Sequence, residues 1–147
     1  MKIDRIDHVS INVNDLSEAK VFFLDLGLEV QAEWELDGEQ LDRIVGLNGV
    51  KTACVGLGMP DGQTWIELVK FYTPSDEKDI QQPFANTLGI RHICFAVENI
   101  EAIVAKLKKR VRKSLVRYSN MRKAISYATF VVRRVLFWSW RRNSDKY

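Results

Sequence analysis

Nowhere does the chain stay apolar for the roughly 20 residues that a membrane-spanning helix needs, and its first residues, Met1-Lys2-Ile3-Asp4-Arg5, lack the apolar stretch of a secretory leader. A cytoplasmic protein with no membrane partner is expected. Cysteine is almost missing: Cys54 and Cys94 each sit in an apolar, strand-like run without CxxC spacing. That excludes a disulfide scaffold and a thiolate zinc cluster, and it predicts two buried free thiols. From Val111 onward there is neither glycine nor proline, so tight turns are hard to make there. Acid is scarce in the same segment. Residues 1–110 carry 12 Lys/Arg against 18 Asp/Glu, a net −6, whereas residues 111–147 carry 10 against 1, a net +9. Two differently composed segments have been joined.

Histidine is as rare as cysteine, but its two copies are informative. Ile6-Asp7-His8-Val9-Ser10-Ile11-Asn12-Val13 aligns with Ile90-Arg91-His92-Ile93-Cys94-Phe95-Ala96-Val97, apolar on apolar and histidine on histidine. A cap residue follows each: Asp15 in one copy and Asn99 in the other. Equivalent histidines in a duplication point to one site shared by two halves.

Strict alternation over residues 6–13 predicts a strand with Asp7, Val9, Ile11 and Val13 on one face and His8 on the other. Asp15-Leu16-Ser17-Glu18 opens a helix that carries Leu16, Ala19, Phe22, Phe23 and Leu26 until Gly27. Strands follow over 28–37, 50–58 and 63–72, the last two joined by a turn at Pro60-Asp61-Gly62. A polar insertion with one helical turn near 41–45 separates the first two of these. This is a βαβββ unit over residues 1–72. Residues 73–88 form a polar linker, and 89–110 repeat the first strand and helix, with Ile100, Ile103, Val104 and Leu107 on the apolar face. The class is α+β, with the second module incomplete or replaced after about residue 110, all within a single domain spanning 1–147.

In the fourth strand Glu67 shares a face with Trp65, Val69 and Phe71, a carboxylate among large apolar groups. One explanation is a solvated edge strand; the other is a cation held together with His8 and His92. Imidazole nitrogen with carboxylate oxygen suits divalent Zn, Ni, Mn or Fe.

The segments DHVSINVNDLSEAKVFFLDLGLEV, TWIELVKF and LGIRHICFAVENIEAIVAKLKKR resemble the glyoxalase, bleomycin-resistance and extradiol dioxygenase superfamily, also called vicinal oxygen chelate. The resemblance implies paired βαβββ modules curled into a half-barrel around a metal. It puts His8, Glu67 and His92 at three of four ligand positions. It further implies a lyase, isomerase or epimerase acting on a small carbonyl compound or thioester through an enediolate, closer to lactoylglutathione lyase or methylmalonyl-CoA epimerase than to a ring-cleaving dioxygenase. Glu67 is the one carboxylate left to act as a base, and a homodimer is expected. The alternative is a metal-free, small-molecule-binding protein of the bleomycin-resistance kind.

The fourth ligand, a glutamate in an ELxE-like last strand, has no counterpart, and the tail suggests why. When the third base of each codon is joined to the first two of the next, Tyr127 onward is compatible with CYVRGPEGIILELAEEFG, and Asp145-Lys146 with a stop. A one-base deletion near codons 110–111 would produce this tail, and it predicts weak metal binding and little turnover. Read as it stands, YATFVVRRVLFWSWRR also suits a basic, aromatic-bearing amphipathic helix for membrane or nucleic-acid contact. No nucleic-acid partner is expected on the preferred reading.

Overall fold

The computed structural model describes residues 2–59, 61–76, 88–90, 92–110, 116–122, 125–132 and 135–142, the last three segments as backbone. Two compact units emerge, Met1–Asp79 and Ile80–Tyr147.

The first unit contains β1 (His8–Asn12), α1 (Leu16–Asp25), β2 (Glu29–Asp37), α2 (Glu39–Val45), β3 (Lys51–Gly58) and β4 (Trp65–Thr73). Its sheet has the order β1-β4-β3-β2. β1 lies parallel to β4, while β4, β3 and β2 run antiparallel. Helix α1 starts where Asp15 accepts the Glu18 amide at 2.8 Å and ends where Gly27 takes φ +95°. There the Gly27 and Leu28 amides reach back to the Leu24 and Phe23 carbonyls, satisfying groups that the last turn would otherwise leave bare. Between these ends α1 presents Ala19, Phe22 and Phe23, which are buried with Ile11, Val13, Val55, Leu57, Ile66 and Leu68. One face of the sheet is thereby closed. The opposite face carries His8, Trp65 and Glu67.

The polar insertion holds more order than its sequence promised. Asp42, on α2, accepts the amides of Gly49 and Val50 at 2.8 Å each, which delivers the fully buried Val50 to the start of β3. Pro60 and most of the linker, residues 77–87, lie outside the described residues; the 59–62 turn closes through the Gly62 amide on the Met59 carbonyl at 3.0 Å.

The second unit contains β5 (His92–Val97), α3 (Ile100–Arg110), β6 (Val116–Arg122), β7 (Ile125–Val132) and β8 (Val135–Arg142). Its order, β5-β8-β7-β6, is that of the first sheet strand for strand, again with one parallel pair and two antiparallel pairs. Asn99 caps α3 by accepting the Ala102 amide at 2.9 Å, and Phe95, Ile100, Val104 and Leu107 are buried. The α+β class and paired modules are thus as expected, with the second module replaced in composition after residue 110 rather than cut short. The amphipathic-helix reading of 127–142 is corrected: β7 and β8 occupy that segment. Cys54 is buried as predicted, whereas Cys94 is exposed. Strand alternation gives the core position to its neighbour Phe95.

Candidate metal centre

His8 opens β1 with its ring on the face that α1 leaves uncovered. Its Nδ1 lies 3.2 Å from Asp7 Oδ2 and its Nε2 3.9 Å from Glu67 Oε2. The ring also leans on the Trp65 indole, with centroids 4.8 Å apart and planes inclined by 40°. Asp7 is held from two further sides, by Arg5 at 3.1 Å and by the Trp65 indole N–H at 3.3 Å. The His8 hydrogen bond, then Arg5, then Trp65 lower the Asp7 carboxyl below the usual range. An ionised carboxylate can only accept, so His8 Nδ1 donates to Asp7 and Nε2 is the ring nitrogen that faces Glu67. This is how outer carboxylates orient metal-ligating imidazoles.

Glu67 stands opposite Ser10 on β1 and Gly56 on β3. These small neighbours leave its carboxylate room, and its side chain is only 18% exposed. The gap between His8 Nε2 and Glu67 Oε2 is too wide for a hydrogen bond. Bonds of roughly 2.1 Å each to metal span about 4.2 Å only when collinear, and about 3.4 Å at the tetrahedral angle. The donor pair thus stands about half an ångström wider than a shared four-coordinate cation requires. Cys54 lies nearby; burial pushes its thiol up, and the Glu67 charge acts the same way.

His92 opens β5 in the second unit and is exposed. Its register partner is Phe137, as that of His8 is Trp65. Two residues on, Ser10 pairs with Glu67 and Cys94 pairs with Ser139. Position 139 is therefore the second-unit counterpart of Glu67, and a serine occupies it. Among the described residues, no three His, Cys, Asp or Glu side chains form a metal-holding group. The structure thus brings two predicted ligands together, His8 with Glu67, and describes the third within its own unit.

Alternation alone had put Asp7 on the covered face. In the structure β1 begins only at His8, so Asp7 precedes the pleat and turns back to the imidazole. The signal available in the sequence was an acid directly before a histidine. Beside Trp65 a cavity of about 330 Å³ opens, lined in part by Gln31, Trp34, Gly56 and Met59. Phe71, which the alternation of β4 puts on the Glu67 face, is not among its lining residues. No helix among the described residues is long and apolar enough to cross a membrane.

Residues 5–120 match the model of the Glyoxalase/Bleomycin resistance protein/Dioxygenase superfamily. The mitochondrial methylmalonyl-CoA epimerase of Mus musculus is 30% identical over 122 residues, an alignment that covers 78% of this chain and 57% of that relative's length. A glyoxalase family protein from Bacillus cereus superposes with a TM-score of 0.88 at 27% identity, over 97% of this chain and 95% of that one. The trypanothione-dependent glyoxalase I of Leishmania major shares the fold, with a TM-score of 0.60 at 19% identity over 95% and 87% of the two chains.

Proposed function

The chain belongs to the glyoxalase, bleomycin-resistance and dioxygenase superfamily, and from that premise we propose a divalent-metal-dependent lyase, isomerase or epimerase acting on a small carbonyl compound or thioester. The observation that carries this reading is the His8–Glu67 pair, with His8 Nε2 freed toward Glu67 by the Asp7 hydrogen bond on Nδ1. In this proposal His8, Glu67 and His92 hold the ion, and both halves form one domain. A Zn, Ni, Mn or Fe ion there would supply Lewis-acid stabilisation of the negative charge that builds on a carbonyl oxygen as its neighbouring carbon loses a proton.

The protein's own groups do the rest. Asp7 fixes the imidazole tautomer, and the Trp65 indole holds the ring plane. Glu67, between Ser10 and Gly56, is the carboxylate placed to remove a proton from substrate bound on the open face. With serine at position 139 the donor set lacks a second carboxylate beside Glu67, so metal is held weakly and turnover is low. Cytoplasmic location and a homodimer complete the proposal.

The missing carboxylate and the indole-lined cavity favour a second reading, a metal-free protein that binds small molecules. Metal analysis separates the two. Stoichiometric Ni, Zn or Mn that is lost in His8→Ala supports the enzyme; ligand binding that persists in full in chelator supports the binding protein.

A further inference from the structure

Two glycines in β3, Gly56 and Gly58, have no need of a left-handed backbone, and glycine inside a strand costs up to about 1 kcal/mol relative to alanine. Their surroundings differ. A Cβ on Gly56 would come within 3.0 Å of the Trp65 ring and 3.3 Å of the Trp34 ring. A Cβ on Gly58 would strike the Gln31 side chain at 2.6 to 2.9 Å. The Gly56 position is kept bare so that two rigid indoles can lie over the strand, whereas at Gly58 the flexible Gln31 side chain can swing aside. Trp34 and Trp65 meet with centroids 6.0 Å apart at an interplanar angle of 62°, which makes an angled corner rather than a closed stack. The 330 Å³ cavity opens at this corner, with Met59 on its wall and no charged side chain among the described residues that line it. That volume lies at the small end for ligand sites and suits a fragment-sized group.

We propose that this corner is a subsite for a flat, uncharged aromatic or heteroaromatic ring, stacked on one indole and set edge-on to the other, with the Gln31 carboxamide hydrogen-bonding a polar atom at its rim. Aromatic pairs prefer offset or edge-to-face contacts, and such contacts add to plain area burial. The adaptable Met59 side chain fits the remaining contour. A described lining without charge disfavours phosphates and carboxylates, which would lose hydration there and gain no countercharge. Trp65 joins this subsite to the candidate centre, since its ring contacts His8 and its N–H is held by Asp7. As a statement about substrate, the proposal rests on the reading under Proposed function and says that the reacting carbonyl compound carries an aryl group. As a statement about binding, it stands without any metal.

The test is calorimetric titration of the full-length protein with naphthalene-2-carboxamide in excess EDTA, with cyclohexanecarboxamide as the non-planar control. Saturable one-to-one binding, at least tenfold weaker for the control and for Gly56→Ala, is expected. Trp34→Leu keeps an apolar side chain and removes the indole face, and it should lose binding to the same degree with an unchanged circular dichroism spectrum. Equal affinity for the two amides, undiminished binding by Trp34→Leu, or no saturable binding would overturn the subsite. Because EDTA is present throughout, these outcomes are independent of whether His8 and Glu67 hold a metal, which His8→Ala metal analysis decides separately.

Discussion

The two nitrogens of His8 face different partners, one a carboxylate on its own strand end and the other a carboxylate on β4, and this asymmetry carries most of the chemistry argued above. Removing Asp7 frees the ring to take either tautomer. Asp7→Ala should therefore weaken Zn affinity by about 10–100-fold, as loss of outer-shell partners does; a competition titration with a chromophoric chelator measures it, and unchanged affinity would mean that Asp7 does not position His8. The cysteines give a second residue-scale prediction. Iodoacetamide should label one thiol in the native protein, Cys94, and leave Cys54 unreacted even at pH 8, because burial keeps it in the thiol form. Mass spectrometry of the labelled peptides checks this, and equal labelling would contradict the burial of Cys54. That His8, Trp65 and Glu67 share one face of the first sheet could be read from the sequence, because residue type and strand parity are local properties. The Asp7–His8 contact could not, since it depends on where the strand starts. The exposure of Cys94 was missed for a related reason: an apolar run does not say which of its members face the core.

At the scale of elements, the first unit and the start of the second were readable because their helices and turns announce their own ends: Asp15 and Gly27 bound α1, the 59–62 turn joins β3 to β4, and Asn99 caps α3. The insertion 38–49 was not readable beyond one helical turn, since its order depends on Asp42 reaching seven and eight residues ahead. No short-range pattern encodes that reach. Asp42→Ala removes a charged acceptor from two backbone amides and should destabilise the protein by about 2 kcal/mol, measured by urea denaturation with unchanged m-value. A change below the error of the fit would show that water replaces the carboxylate without loss. Phe23→Ala, at the contact of α1 with the sheet, should cost more, about 3–5 kcal/mol.

Across the whole molecule, the two sheets share one strand order while their sequences diverge sharply after residue 110. The duplication is visible in the histidines, which open β1 and β5, and in the side-chain caps of α1 and α3. It is invisible in β6 to β8, whose basic, glycine-free sequence carries no turn signals. Position 139 connects these two facts. By register it is the equivalent of Glu67 on β8, and the shifted reading of the codons for Trp138-Ser139 allows glutamate there. A gene restored to that frame should yield a protein with tighter metal binding and better solubility; no gain in either would count against the one-base deletion. The central claim, that an imidazole from each half holds one cation with Glu67, is tested most directly by Zn titration of His92→Ala beside His8→Ala and the parent chain. The account predicts that each single substitution weakens binding at least tenfold. Parent-like affinity in His92→Ala would contradict it.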